Sequence, residues 1–234
     1  MKQVKFFAAA MLIAMISSFV CAQSARSETT AEDDYLSSFE DMIITELTAS
    51  DEYDNKMLAL QYIEEALDRD VDGRDLTQIQ SALDSLAGEG VITQTRSNGR
   101  LVNNFPDVRA KACEMLAKMN NEQAKDTLVK IALADNEPMV ASAAIKSIGS
   151  ISQEETDDAV NTIAWVEKKY AILNPTSSLA FEILNAYEKL APNLKDKGPL
   201  IQSISKIAVN YNYVTPVRDK AKELLRTYTG KKVN

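Results

Sequence analysis

The sequence predicts an all-α fold, an α-solenoid of about five antiparallel helix pairs with one small β-hairpin inserted near residues 91–102. Three observations carry that expectation. Pro106-Asp-Val108-Arg109-Ala-Lys-Ala112-Cys-Glu-Met-Leu116-Ala117 returns 32 residues later as Pro138-Met-Val140-Ala141-Ser-Ala-Ala144-Ile-Lys-Ser-Ile148-Gly149. It returns again in the last helix as Pro216-Val217-Arg218-Asp-Lys-Ala221-Lys-Glu-Leu224-Leu225. A second amphipathic helix, from about Asn121 to Ala134, separates the first two lines, so the recurring unit is a helix pair.

The chain opens on Lys2 and Lys5, then an apolar run from Phe6 to Val20 broken only by Ser17 and Ser18. Val20-Cys21-Ala22 follows, the arrangement of a secretory signal peptide cleaved after Ala22. A membrane-spanning helix needs ~20 apolar residues, so this run is short for an anchor, and the mature chain is expected to carry no transmembrane helix. The alternative is lipidation at Cys21. A lipobox prefers a small residue before the cysteine and leucine two places further back, where this chain has Val20 and Ser18. The expected organisation is therefore a signal peptide (1–22), a flexible acidic tether (23–32) and a solenoid domain (33–234). The expected location is outside the cytoplasm, in the periplasm or cell envelope.

Within the solenoid, Leu36, Phe39, Ile43, Ile44 and Leu47 fall at three- and four-residue spacings and predict a first helix from Asp33 to Thr48. Met57, Leu60, Ile63 and Leu67 predict a second, from Asp51 to Arg69. Leu76, Ile79, Leu83 and Leu86 predict a third, closed by Gly88. Val91 to Thr95 and Arg100 to Val102 are β-prone and flank Ser97-Asn98-Gly99, which predicts the hairpin. Helices resume at Pro106. The five pairs are placed at 33–69, 75–119, 121–150, 154–191 and 197–229. Small residues such as Ala112, Ala144 and Gly149 are needed where helices approach closely. An exposed polar cap is expected at each end of the array.

Charge and composition narrow the function classes. The formal charge is −8, and removing residues 1–22, with two lysines and no acid, takes it to −10. A surface this acidic argues against nucleic acid or an anionic membrane as partner. Only Cys113 remains after the signal, so no disulfide can form within one mature chain. Histidine is absent, which removes the commonest general base and metal ligand. Glu64-Glu65, Glu154-Glu155 and Asp157-Asp158 are adjacent on helices and point in different directions, so they read as solvated faces. Cys113, beside Ala112 and Leu116, reads as a half-buried packing residue. No catalytic residue, metal site or cofactor is expected.

The Pro106-Asp-Val108-Arg109, Pro138-Met-Val140 and Pro216-Val217-Arg218 lines, each running into a small residue and then leucine or isoleucine, resemble the HEAT-repeat family. The likeness is to its bacterial HEAT-like subset. The resemblance implies a non-enzymatic scaffold that binds another protein along its concave face, lined by the second helix of each pair. It also implies that Arg109 and Arg218 brace successive repeats, a role from which Ala141 and Ser178 depart. The hydroxylases of this family use His-Glu iron sites, which this chain cannot build. Its bilin-attaching lyases share no feature with it beyond the repeat. On this reading the partner contacts are Lys111, Glu114, Lys118, Lys146, Glu182 and Lys222, joined by Arg96 and Arg100 of the basic hairpin. A lipid-anchored envelope structural or assembly factor is the competing reading. Trp165, Tyr170, Tyr211 and Tyr213 read as core or loop anchors, or as contact anchors if exposed.

Overall fold

The computed structural model describes residues 31–69, 74–151 and 157–230, with side chains from residue 35 onward. The expected signal segment, including Cys21, and residues 23–30 of the tether lie outside the described residues. Ala31 and Glu32, placed in the tether by the sequence, instead open the first helix.

The described residues form ten α-helices: α1 (Ala31–Ala49), α2 (Tyr53–Asp68), α3 (Thr77–Gly88), α4 (Pro106–Met119), α5 (Glu122–Ala134), α6 (Pro138–Ile148), α7 (Asp157–Leu173), α8 (Ser177–Leu190), α9 (Gly198–Val209) and α10 (Thr215–Thr229). Consecutive helices pack as five pairs, and each helix also touches its equivalents in the neighbouring pairs. Two layers result. The first helices α1, α3, α5, α7 and α9 form one, and the second helices α2, α4, α6, α8 and α10 form the other. This is the HEAT-like all-α solenoid that the repeat predicted.

Local sequence explains the joints. Proline sits in the first turn of α4, α6, α9 and α10, where its missing N–H breaks no helical bond. Asn121 caps α5, its side chain accepting from the Ala124 N–H at 2.8 Å. Asn120 and Gly230 adopt left-handed conformations just past α4 and α10, ending those helices. The core is a single apolar seam between the layers, from Ile44 to Leu225.

The hairpin is present between α3 and α4 but shorter than the β-prone runs suggested. Its strands are β1 (Arg96–Ser97) and β2 (Arg100–Leu101), joined by Asn98 and Gly99 at φ 50° and 79°. Both central residues therefore have the positive φ of a type I′ turn. Val91 and Ile92 turn instead of extending, because the Gly90 N–H bonds back to the Thr93 carbonyl at 2.8 Å. Buried Asn103 fixes the stem: its amide donates to the Thr93 carbonyl and accepts from the Thr95 N–H, both at 2.9 Å. The hairpin base is thus built into the fold.

The first helix also differs from expectation. Ile44 is buried, but Leu36 and Phe39, part of the apolar spacing that predicted the helix, are exposed. The physical reason is position: α1 is the first described helix, and among the described residues it packs chiefly on α2 and α3. The N-terminal cap is therefore partly apolar.

Among the second helices, α4–α6 and α6–α8 pack tightest, and small residues permit it. A Cβ added at Gly149 would lie 2.9 Å from both Cα and Cβ of Ala186 on α8. Gly149→Ala should therefore lower stability by about 1–3 kcal/mol through overpacking. Chemical denaturation checks this, and a variant as stable as the parent would mean that α6 and α8 are not in close contact there.

Candidate functional site

Two levels of polar structure run along the second-helix layer: buried braces between repeats, and an open face above them. The strongest brace is Arg109, the fourth residue of α4, whose side chain is almost wholly buried. Its guanidinium meets Asp135, just past α5 in the next repeat, at 2.7 Å (Nε to Oδ2) and 3.3 Å (Nη2 to Oδ1). Nη1 donates to the Glu89 carbonyl and to Asn104 Oδ1 at 3.2 and 2.9 Å, reaching both flanks of the hairpin.

Asp135 collects further bonds. Its Oδ1 accepts from the Glu137 N–H at 2.9 Å and so shapes the turn into α6. Its carbonyl accepts from Lys169 Nζ at 2.6 Å and from the Tyr170 hydroxyl at 3.0 Å, both on α7 of the following repeat. One residue thereby ties three repeats together.

The same device occurs one repeat earlier. Lys56, the fourth residue of α2, is buried and meets Glu89, just past α3, at 2.8 Å. Arg74 adds a second link from the start of the second pair, to Glu40 at 2.9 Å and Asp41 at 2.8 Å on α1. At the equivalent place in the third pair Ala141 is buried and apolar, and α7 supplies the link through Lys169 and Tyr170. Arg218 holds this place in α10, the last described helix. It is half-buried, bonds Thr215 Oγ1 within its own helix at 3.1 Å and lies over the Tyr211 ring. Hence Arg109 links repeats, whereas Arg218 makes local contacts.

Above the braces, lysines link successive second helices. Lys111 on α4 reaches back to Glu64 on α2 at 2.9 Å, and Lys118 reaches Asp68 at 2.6 Å. Lys146 on α6 reaches Glu114 on α4 at 3.1 Å, and Lys220 on α10 reaches Glu188 on α8 at 2.9 Å. These pairs are partly exposed, so each contributes only about 0–1 kcal/mol and can be exchanged for a partner's charge.

The structure brings four of the predicted contacts into one groove. Lys111 and Glu114 of α4, Lys146 of α6 and Glu182 of α8 line a depression of about 520 Å³ crossing three repeats, with Met139 and Ser178. Lys118 lies outside it, and Lys222 pairs with Asp219 of its own helix at 3.0 Å. Arg96 and Arg100 stand exposed on the hairpin, away from the groove, and Arg96 donates to the Gly99 carbonyl at 3.2 Å. Tyr170 and Tyr213 are buried, whereas Trp165 and Tyr211 are exposed.

Cys113 is fully buried rather than half-buried, and burial pushes its thiol pKa far up, which makes it a packing residue. Among the described residues, no cluster of histidine, cysteine and carboxylate side chains is arranged to hold a metal ion. No described helix is long and apolar enough to cross a membrane.

At the last repeat interface the exposed side carries the Lys220–Glu188 pair, whereas the buried side is polar without an ion pair among the described residues. Glu167 on α7 is buried, and its Oε2 has no aligned partner; the same holds for Ser203 Oγ on α9 and Tyr187 Oη on α8. Burial raises the Glu167 pKa, and the opposing influences of Lys206 and Ser203 on α9 are weaker.

Comparison with known proteins agrees with this architecture. Residues 100–171, from the hairpin's second strand to near the end of α7, match the family model described as HEAT repeats. No curated protein and no solved structure matches the chain.

Two expectations follow from the braces. Arg109→Ala leaves Asp135 buried and uncompensated, so it should destabilise the fold by about 3–5 kcal/mol. Arg109→Lys should recover only part, because lysine lacks the planar fork. Denaturant unfolding of both variants checks this. At Glu167 the folded pKa is raised, so its stabilising contribution is complete below the ordinary glutamate pKa and is lost as pH rises through the raised value. Glu167→Gln should then melt above the parent at about pH 8 and level with it at about pH 4. Equal melting temperatures at both pH values would place the carboxylate in water.

Residues 100–171 thus resemble HEAT repeats, and the helix-pair architecture of that stretch continues on both sides as five pairs stacked in two layers.

Proposed function

We propose that this protein is an exported, non-enzymatic scaffold that binds another protein along its second-helix face. The observation that carries this reading is the groove across α4, α6 and α8. It is long enough to take an extended segment or a helix of a partner, its walls offer both signs of charge, and its floor includes Met139 and Ala143. HEAT repeats generally mediate protein–protein interaction, and they are typically non-catalytic. The absence of histidine from the sequence and the inert burial of Cys113 support the same conclusion.

Export rests on the signal-peptide pattern of residues 1–22, and the mature chain begins at Gln23 on this reading. Mass spectrometry of the protein recovered from the cell envelope tests it. An acylated Cys21 would make the protein lipid-anchored, and a retained Met1 would refute processing.

The binding face is tested by crosslinking in the intact envelope, with Lys111→Glu and Lys146→Glu combined. Both are surface substitutions, so helicity should hold while the yield of the crosslinked partner falls at least about tenfold. An unchanged yield would move binding off this groove. A parallel Arg96→Glu, Arg100→Glu variant reports the hairpin's share of the binding.

A further inference from the structure

The protein carries two exposed apolar faces, and their chemistries are complementary. On α1, Tyr35, Leu36, Phe39 and Met42 recur at helical spacing and stand at least half exposed. The same helix holds six acidic residues, Glu32, Asp33, Asp34, Glu40, Asp41 and Glu46, and no basic one. Glu40 and Asp41 are engaged by Arg69 and Arg74, while Glu46 is exposed.

On α7, Trp165, Lys168, Lys169, Ile172 and Leu173 share one helix face and line a shallow depression of about 280 Å³. Ile172 is 77 % exposed and Leu173 68 %. Among the described residues, no acidic side chain lines this depression. It is a basic, apolar patch on an acidic chain. Contiguous apolar surface of this kind marks an interaction site.

We propose that α1 of one copy docks on the α7 patch of another, with Phe39 and its neighbours against Trp165, Ile172 and Leu173 and the acidic helix facing Lys168. The charges select this pairing over α1 on α1, which would set like charges opposite each other. In the first-helix layer α3 and α5 lie between α1 and α7 of the same molecule, so the contact forms between copies. It is heterologous, each copy presenting one donor and one acceptor face, so it grows into a ring or a head-to-tail row. The second-helix groove belongs to the opposite layer and stays open in either form.

Sedimentation velocity of the purified protein over a concentration series tests this, with fluorescence of Trp165, the single tryptophan, as a local reporter. The parent should show mass increasing with concentration and a blue shift of Trp165 emission. Phe39→Ser and Lys168→Glu should each weaken self-association at least about tenfold with helicity unchanged. Each variant keeps one intact face, so mixing the two should yield a complex that stops at one copy of each. A parent that stays monomeric with constant Trp165 emission would overturn the proposal. So would a mixture that remains monomeric while the parent assembles. A monomeric parent whose Trp165 shifts only with phosphatidylglycerol vesicles would overturn it in favour of a lipid surface.

Discussion

The buried Arg109–Asp135 pair is the contact on which the centre of this array depends. Its cost is desolvation of two charges, and the geometry answers it in full: a two-point contact between the ions, two further acceptors for the guanidinium, and a backbone donor for the carboxylate. Because Asp135 also accepts two bonds on its carbonyl from α7, its position sets the relation of the second, third and fourth repeats. Apolar packing supplies the driving force for folding but is tolerant of small rotations between layers. A planar guanidinium held by four hydrogen bonds is not. The brace therefore fixes the relative angle of neighbouring helix pairs, and that angle decides how α4, α6 and α8 line up to form one groove.

The architecture was legible in the sequence because a helical repeat writes its packing locally. Val108, Ala112 and Leu116 must share a face, and the same spacing appears 32 residues on. The buried partners were less legible, because each pair joins residues tens of positions apart whose proximity exists only once the helices stack. Lys56 is instructive. Aligning Ala59 and Ile63 with Ala112 and Leu116 puts Lys56 under Arg109, and it plays the equivalent part toward Glu89. Lysine in a surface-like helix gives no hint of burial on its own. Asp135 had a stronger signal, since an aspartate three residues before a helix-starting proline is placed to shape the turn. At the site, the charges of the second helices were readable as a polar face. Their engagement with one another was not.

The hairpin shows how an insertion can be absorbed into a repeat. Its tip is solvated and carries two arginines, as a turn signal between β-prone runs suggests. Its stem is another matter: Gly90 approaches the Asn103 backbone so closely that a Cβ would lie 2.5 Å from the carbonyl oxygen. Arg109 then binds the Glu89 carbonyl on one side and Asn104 on the other. The same guanidinium that joins repeats also closes the base of the insertion, so tip and stem are subject to different constraints. The fold itself constrains Gly90 and Asn103, whereas it leaves Arg96 and Arg100 exposed.

The buried ion pairs described here join the first pair to the second and the second to the third. Beyond α6 the repeats meet through apolar packing, through hydrogen bonds to carbonyls and hydroxyls, through the partly exposed Lys220–Glu188 pair, and beside a buried glutamate whose cationic neighbour Lys206 is exposed. Packing resists separation strongly but sliding weakly, whereas an oriented ion pair resists both. Rotation between pairs is accordingly limited by buried, oriented charges as far as α6, and from there on by close packing, hydrogen bonds and an exposed ion pair. The groove across α4, α6 and α8 lies where these two kinds of restraint meet, so its two ends are held in shape by different physics.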